Sequence, residues 1–118
     1  QLERSNGQWD KGKAFDTFGP LGPYIVTKDE IDNVQNLNLE LKLNKKVMQS
    51  GNTKNMIFSV KHIVSYLSFF MTLKPGDIIS TGTPPGCGIG RSPQVFLKSG
   101  DEMVLKIDNL GIQKQKVL

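Results

Sequence analysis

The chain has 118 residues, 37% of them hydrophobic and 22% charged, and carries a formal net charge of +4. That size supports one domain, and the plentiful apolar residues in ordered patterns argue against a disordered chain. No apolar run approaches the roughly 20 residues of a membrane helix, and the single cysteine, Cys87, excludes an internal disulfide and leaves a reducing, intracellular setting as the expectation.

Residues 1–11 are polar, with Asn6-Gly7 a turn signal. Residues 12–18 alternate by size and polarity and predict a strand, broken by Gly19-Pro20-Leu21-Gly22-Pro23. Tyr24-Ile25-Val26 predicts a short strand, and Thr27 with Glu30 fits a capping box opening a brief helical turn. Leu37, Leu39, Leu41 and Leu43 alternate with Asn38, Glu40, Lys42 and Asn44, which predicts a strand with one wet and one dry face. Asn44-Lys45-Lys46 then turns it into Val47-Met48-Gln49 as a hairpin.

Ser59 is an N-cap candidate. Val60, Ile63, Val64, Leu67, Phe70 and Met71 follow it at helical spacing to about Leu73. Ile78-Ile79-Ser80-Thr81 predicts an apolar strand, followed by a Gly/Pro-rich loop over 82–93. Residues 103–107 and 112–117 predict two closing strands around Asn109-Leu110-Gly111. The expected architecture is a mainly β, α+β domain with about seven short strands, one main helix and mostly antiparallel pairing.

The positive charges are scattered (among them Lys11, Lys13, Lys42, Lys45, Lys46, Lys98, Lys106, Lys114 and Lys116), and the arginines are Arg4 and Arg91. No basic run interleaved with aromatics marks a nucleic-acid surface, so neither nucleic acid nor membrane is an expected partner. The one histidine, His62, excludes a Ser-His-Asp set and reads as an ordinary helix residue. Asp29, Glu30 and Asp32 read as first-turn carboxylates that favour the helix dipole, needing no metal.

Two segments carry chemistry. On an extended 12–18 segment Lys13 shares a face with Phe15 and Thr17. An ammonium beside aromatic residues either meets an anion, such as Asp16 or an acidic ligand, or snorkels from a sheet edge. Residues 80–90 bring glycines and the hydroxyls of Ser80, Thr81 and Thr83 directly after an apolar run, which suits either an anion cradle or a long ordered turn. The loop lacks both nucleotide-binding glycine spacings. Cys87 within it has no neighbouring base in sequence and reads as a small packed residue.

Taken together, these stretches resemble the fumarylacetoacetate hydrolase (FAH) superfamily. The resemblance runs over Gly12-Lys13-x-Phe15-Asp16-Thr17-Phe18, Pro20-Leu21-Gly22-Pro23, Gly51-Asn52-Thr53, Met56-Ile57-Phe58, Tyr66-Leu67-Ser68, Pro75-Gly76-Asp77-Ile78-Ile79 and Thr81-Gly82-Thr83-Pro84-x-Gly86-x-Gly88. The Arg4 to Trp9 stretch and the Pro93-to-Asp101 segment with Phe96-Leu97-Lys98 look most like the FAH domain-containing protein 2 branch, associated with oxaloacetate tautomerase activity.

The resemblance implies a mixed β-roll fold, a homodimer, and Mg²⁺ or another divalent cation chelating a small 2-oxo acid. It matches Lys13 to the family's active-site lysine and Thr83 to its substrate-contacting threonine. Gln1 matches the glutamine closing an Ala-Arg-Asp-x-Gln motif, and Thr17 matches a position near the metal. No Glu-x-Glu occurs in residues 1–118, so the metal ligands are expected upstream of Gln1 and the chain reads as the C-terminal part of a catalytic domain, inactive alone.

The implied activity is oxaloacetate keto–enol tautomerisation. Acylpyruvate-type C–C hydrolysis and oxaloacetate decarboxylation are its enzymatic rivals, and a non-catalytic fragment or interaction module is the alternative of another class. A basic chain of this family is compatible with mitochondria.

Overall fold

A computed structural model describes residues 7–118, and the readings placed on Gln1, Arg4 and Asn6 lie outside them. The sheet grows from the leucine alternation. Strand β1 (Asn38–Leu43) and strand β2 (Lys46–Asn52) pair antiparallel from Leu43 opposite Lys46 to Asn38 opposite Asn52. Asn44 and Lys45, with φ of 48° and 69°, make the two-residue turn between them. Positive φ at both central residues gives a turn whose twist matches that of the paired strands.

The register shifts between Leu41 and Lys42: Leu41 faces Gln49 while Lys42 faces Val47, leaving Met48 as the extra residue of a bulge. Strand β3 (Glu102–Ile107) pairs with the other edge of β1, and strand β4 (Ile112–Lys116) pairs with β3. The result is a four-stranded antiparallel sheet in the order β2-β1-β3-β4. This is the expected mainly β, α+β class.

Helix α1 covers Trp9–Lys13 and helix α2 covers Val60–Ser68. The α2 N-terminus is held twice. The Ser59 hydroxyl accepts the His62 amide at 3.1 Å, and the Gln35 side-chain carbonyl accepts the Val60 amide at 2.9 Å. Both satisfy first-turn donors that have no partner inside the helix.

Several expectations are corrected. Residues 12–18 form no strand: Gly12 and Lys13 finish α1, and turns follow through Thr17, whose φ is 66°. Alternation by size does not make a strand where no neighbour offers a ladder, and left-handed backbone at Thr17 cannot extend one. Tyr24-Ile25-Val26 and 78–81 likewise pair with no strand among the described residues, so about seven strands become four. The Thr27 side chain caps no backbone N–H, although a one-turn 3-10 helix does follow at Lys28–Glu30. Helix α2 stops at Ser68, whose hydroxyl turns back onto the Ser65 carbonyl at 2.7 Å.

At the turn into β3 the Asp101 carboxylate is buried at 4% exposure. It accepts from the Asn44 side chain at 2.8 Å and the Lys98 amide at 3.0 Å, and the Asn44 amide is the main cause holding its carboxyl below the ordinary carboxylate value. The aliphatic core is thin: Ile31 and Leu37 are the buried hydrophobic residues among those described.

Surface area shows the same deficit. The chain exposes 9849 Å², whereas a folded monomer of its mass exposes about 6400 Å². Ile25 at 95%, Ile57 at 93% and Phe69 at 84% exposure mark where apolar surface goes uncovered.

Candidate active site

Thr83 stands on the wall of an open cleft of about 1020 Å³. It is lined by the register pair Leu39 and Ile107 on β1 and β3, by Met56, Phe58 and Ile63, and by residues of the 81–91 loop. Apolar walls with a few convergent polar groups are the usual form of a small-molecule site.

That loop is fastened to β2 by three devices. The Gln49 amide nitrogen donates to the Thr83 hydroxyl at 2.8 Å and to the Pro84 carbonyl at 2.7 Å. The Arg91 guanidinium donates through Nε to the Gly86 carbonyl at 3.2 Å and through Nη2 to the Met48 carbonyl at 2.5 Å. Met48 is the bulge residue, so its carbonyl is free of the ladder and open to Arg91. Third, Gly86 sits at φ 113°, and a Cβ there would fall 2.1 Å from the Met48 carbonyl oxygen.

Neither the conformation nor the space admits a side chain at position 86. Gly86→Ala in the complete protein is expected to lower stability by about 1–3 kcal/mol and to raise the KM for substrate, read by thermal denaturation and steady-state kinetics. Unchanged stability and KM would show that the loop does not depend on this approach.

Lys13 is exposed at the end of α1 and does not line the cleft. The chain that follows it is tied to the other edge of the sheet: Gln113 of β4 donates to the Gly22 carbonyl at 3.1 Å and the Pro20 carbonyl at 3.4 Å. The β2 and β4 edges are three strand spacings apart, about 14 Å. Thr17, exposed, lies in the turns between, where the Phe15 and Phe18 rings meet at 5.6 Å. The described residues therefore bring Thr83 to the cleft and leave Lys13 and Thr17 outside its lining.

His62 stacks on Phe58 at 4.9 Å and faces Tyr66 at 6.3 Å along the exposed side of α2, which is a packing role. Cys87 is exposed, its sulfur 3.8 Å from the Gln49 amide nitrogen. Among the described residues no group of three or more His, Cys, Asp or Glu converges as a metal site. Asp29 is held below the ordinary carboxylate value by the Thr27 hydroxyl first. These residues by themselves do not fit a divalent cation.

Sequence reasoning missed Gln49 and Arg91. Arg91 carried a usable signal, since a lone guanidinium closing a glycine-rich loop has carbonyls to collect. Gln49 carried none, because its role follows from the bulge beside it.

The described residues thus present an antiparallel sheet with a glycine-rich, threonine-bearing loop fastened over its β2 edge. The chain belongs to the fumarylacetoacetate (FAA) hydrolase C-terminal family, whose model matches residues 1–118. A curated relative from Burkholderia ambifaria, named no more specifically than as a hydrolase, is 56% identical over 116 residues, covering 98% of this chain and 41% of that protein. The chain thus spans well under half the length of such relatives.

Among solved structures, fumarylacetoacetate hydrolase from the psychrophile Exiguobacterium antarcticum is similar at 40% identity with a TM-score of 0.93, over 98% of this chain and 42% of that one. Maleylpyruvate hydrolase from Sphingobium sp. SYK-6, in complex with manganese (II) ion and pyruvate, is 34% identical with a TM-score of 0.80, over 89% and 37% of the two chains. A 2-hydroxyhepta-2,4-diene-1,7-dioate isomerase from Mycobacterium marinum is 37% identical with a TM-score of 0.84, over 99% and 42%. The neighbours include both hydrolases and isomerases. No helix among the described residues is long and apolar enough to cross a membrane.

Proposed function

We propose that this chain is the C-terminal part of a FAH-type enzyme that stabilises the enolate of a small 2-oxo acid, and that its reaction is the keto–enol tautomerisation of oxaloacetate. The observation that carries the reading is the similar maleylpyruvate hydrolase, which holds manganese and pyruvate, itself a 2-oxo acid. A divalent cation, Mg²⁺ or Mn²⁺, belongs to the proposal, with ligands supplied from outside the described residues. When bound, such an ion supplies Lewis-acid charge near the acid's oxygens. The oxaloacetate assignment, the homodimer and mitochondrial placement rest on the sequence resemblance.

The chain's own residues have definite tasks in this reading. Thr83, fixed by Gln49 on the cleft wall, offers a hydroxyl donor to a substrate oxygen. Backbone amides of the loop near Gly86, which lines the cleft, add donors in this reading, and each such donor lowers the barrier by about 3 kcal/mol. Lys13 brings positive charge toward the enolate once α1 is packed against the remainder of the enzyme. Gln1 adds a donor to the substrate, and Thr17 lies by the cation. Tautomerisation moves one proton from the carbon beside the carbonyl to the oxygen, or the reverse, and breaks no C–C bond.

A hydrolytic reading is favoured by the hydrolase names among the neighbours. Incubating the complete enzyme with enol-oxaloacetate separates the two. Loss of enol absorbance without pyruvate is the expected result. Pyruvate as the main product would remove tautomerisation, and cleavage of an acylpyruvate in its place would assign the hydrolase.

A further inference from the structure

Gln49 does more at this site than hold a loop. Its amide nitrogen has two protons, and its two oxygen acceptors stand close beside it, the Pro84 carbonyl at 2.7 Å and the Thr83 hydroxyl oxygen at 2.8 Å, while the weakly accepting Cys87 sulfur lies farther off at 3.8 Å. A carbonyl can only accept, so the Pro84 contact fixes which end of the Gln49 amide faces the loop. The nitrogen must be there, and its second proton points to Thr83. The Thr83 oxygen is therefore an acceptor toward β2, and its own proton stays free for another partner.

From this we infer that Gln49 is a positioning residue that sets the polarity of the Thr83 hydroxyl, committing it as a donor to an anionic substrate oxygen. The inference rests on the site reading above, in which Thr83 faces the substrate. A threonine hydroxyl left to itself rotates among partners and donates to whichever carbonyl is near. With one lone pair taken by the Gln49 amide, donation back toward β2 is closed, and the hydroxyl proton meets the cleft. Hydrogen bonds to charged groups are stronger than neutral ones, so the preference matters most when the bound oxygen carries the enolate charge. The half-buried place of Gln49 on β2, next to the bulge at Met48, puts its amide at the height of the loop.

The test is a double-mutant cycle in the complete enzyme with its divalent cation. The probe is oxalate, a planar dianion that mimics the enolate of a 2-oxo acid. Gln49→Glu reverses the contact, because a carboxylate accepts the Thr83 proton and draws it away from the cleft. Gln49→Met removes the contact at similar volume and serves where the glutamate variant fails to fold. With Thr83 present, either change is expected to weaken oxalate binding by about tenfold. In a Thr83→Val background the same change is expected to alter it less than twofold, and Thr83→Ser restores the tenfold effect. Melting temperature falls in every background, since the Pro84 bond is lost in each.

Equal losses of oxalate affinity with Thr83 intact and in the Thr83→Val background would overturn the inference and reduce Gln49 to a loop fastener, with the site reading intact. A wild-type enzyme that binds no oxalate, and whose turnover is indifferent to Thr83→Val, would overturn the site reading and the inference with it.

Discussion

Lys13→Met in the complete enzyme is expected to cut turnover of enol-oxaloacetate by about a hundredfold to a thousandfold, the range for removing one preorganised charge or donor from an enolate-type site. Folding should survive. Helix α1 buries none of its residues, and Lys13 is exposed at its end, so nothing in the described structure depends on the ammonium for packing. A loss of activity at constant melting temperature would therefore be chemical. It would also show that the Lys13 and Thr83 segments, anchored on opposite edges of the sheet here, converge once the remainder of the enzyme is packed on α1. Activity retained within threefold would detach Lys13 from the reaction and leave Thr83 as the proposed substrate contact.

The hairpin was legible because its causes are local. The leucines at 37, 39, 41 and 43 set one face, and Asn44-Lys45 supplied a turn whose geometry matches the twist of the strands. The α2 start was legible for the same reason, since Ser59 caps an amide three residues away. Residues 12–18 and 78–81 were misread because a strand is completed by a neighbour, and neither segment finds one among the described residues. Apolar character at Ile78 and Ile79 specifies burial, not pairing.

The site divides along the same line. Thr83 and loop glycines that line the cleft stand out in sequence, whereas Lys13 stands out in sequence and lies outside that lining. The bulge at Met48 has no local signature, yet it frees the carbonyl that Arg91 takes and sets Gln49 against Thr83. What sequence reading could not give is the meeting of distant segments.

The 118-residue chain produced alone is expected to lack a cooperative heat-absorption peak and to bind a hydrophobic dye such as anilinonaphthalene sulfonate strongly, whereas the complete protein unfolds cooperatively and binds little. The cause is the uncovered apolar surface. The chain's 9849 Å² exceeds by roughly 3400 Å² the surface expected of a folded monomer this size. That excess is larger than the roughly 800 Å² one partner contributes to an ordinary protein interface. Phe58, Tyr66 and Phe70 stand along the exposed side of α2, and Phe15 and Phe18 pack mainly on each other. The four-stranded sheet keeps its hydrogen bonds without these residues, but side-chain packing supplies the cooperativity of unfolding. Retained strand content with fluid packing is the expected state, read as far-ultraviolet circular dichroism that persists while near-ultraviolet signal is lost. A sharp calorimetric transition for the chain alone would mean that the sheet and its two buried aliphatic residues, Ile31 and Leu37, suffice for a domain. The exposed aromatics would then be surfaces that dock another molecule, not faces of one shared core.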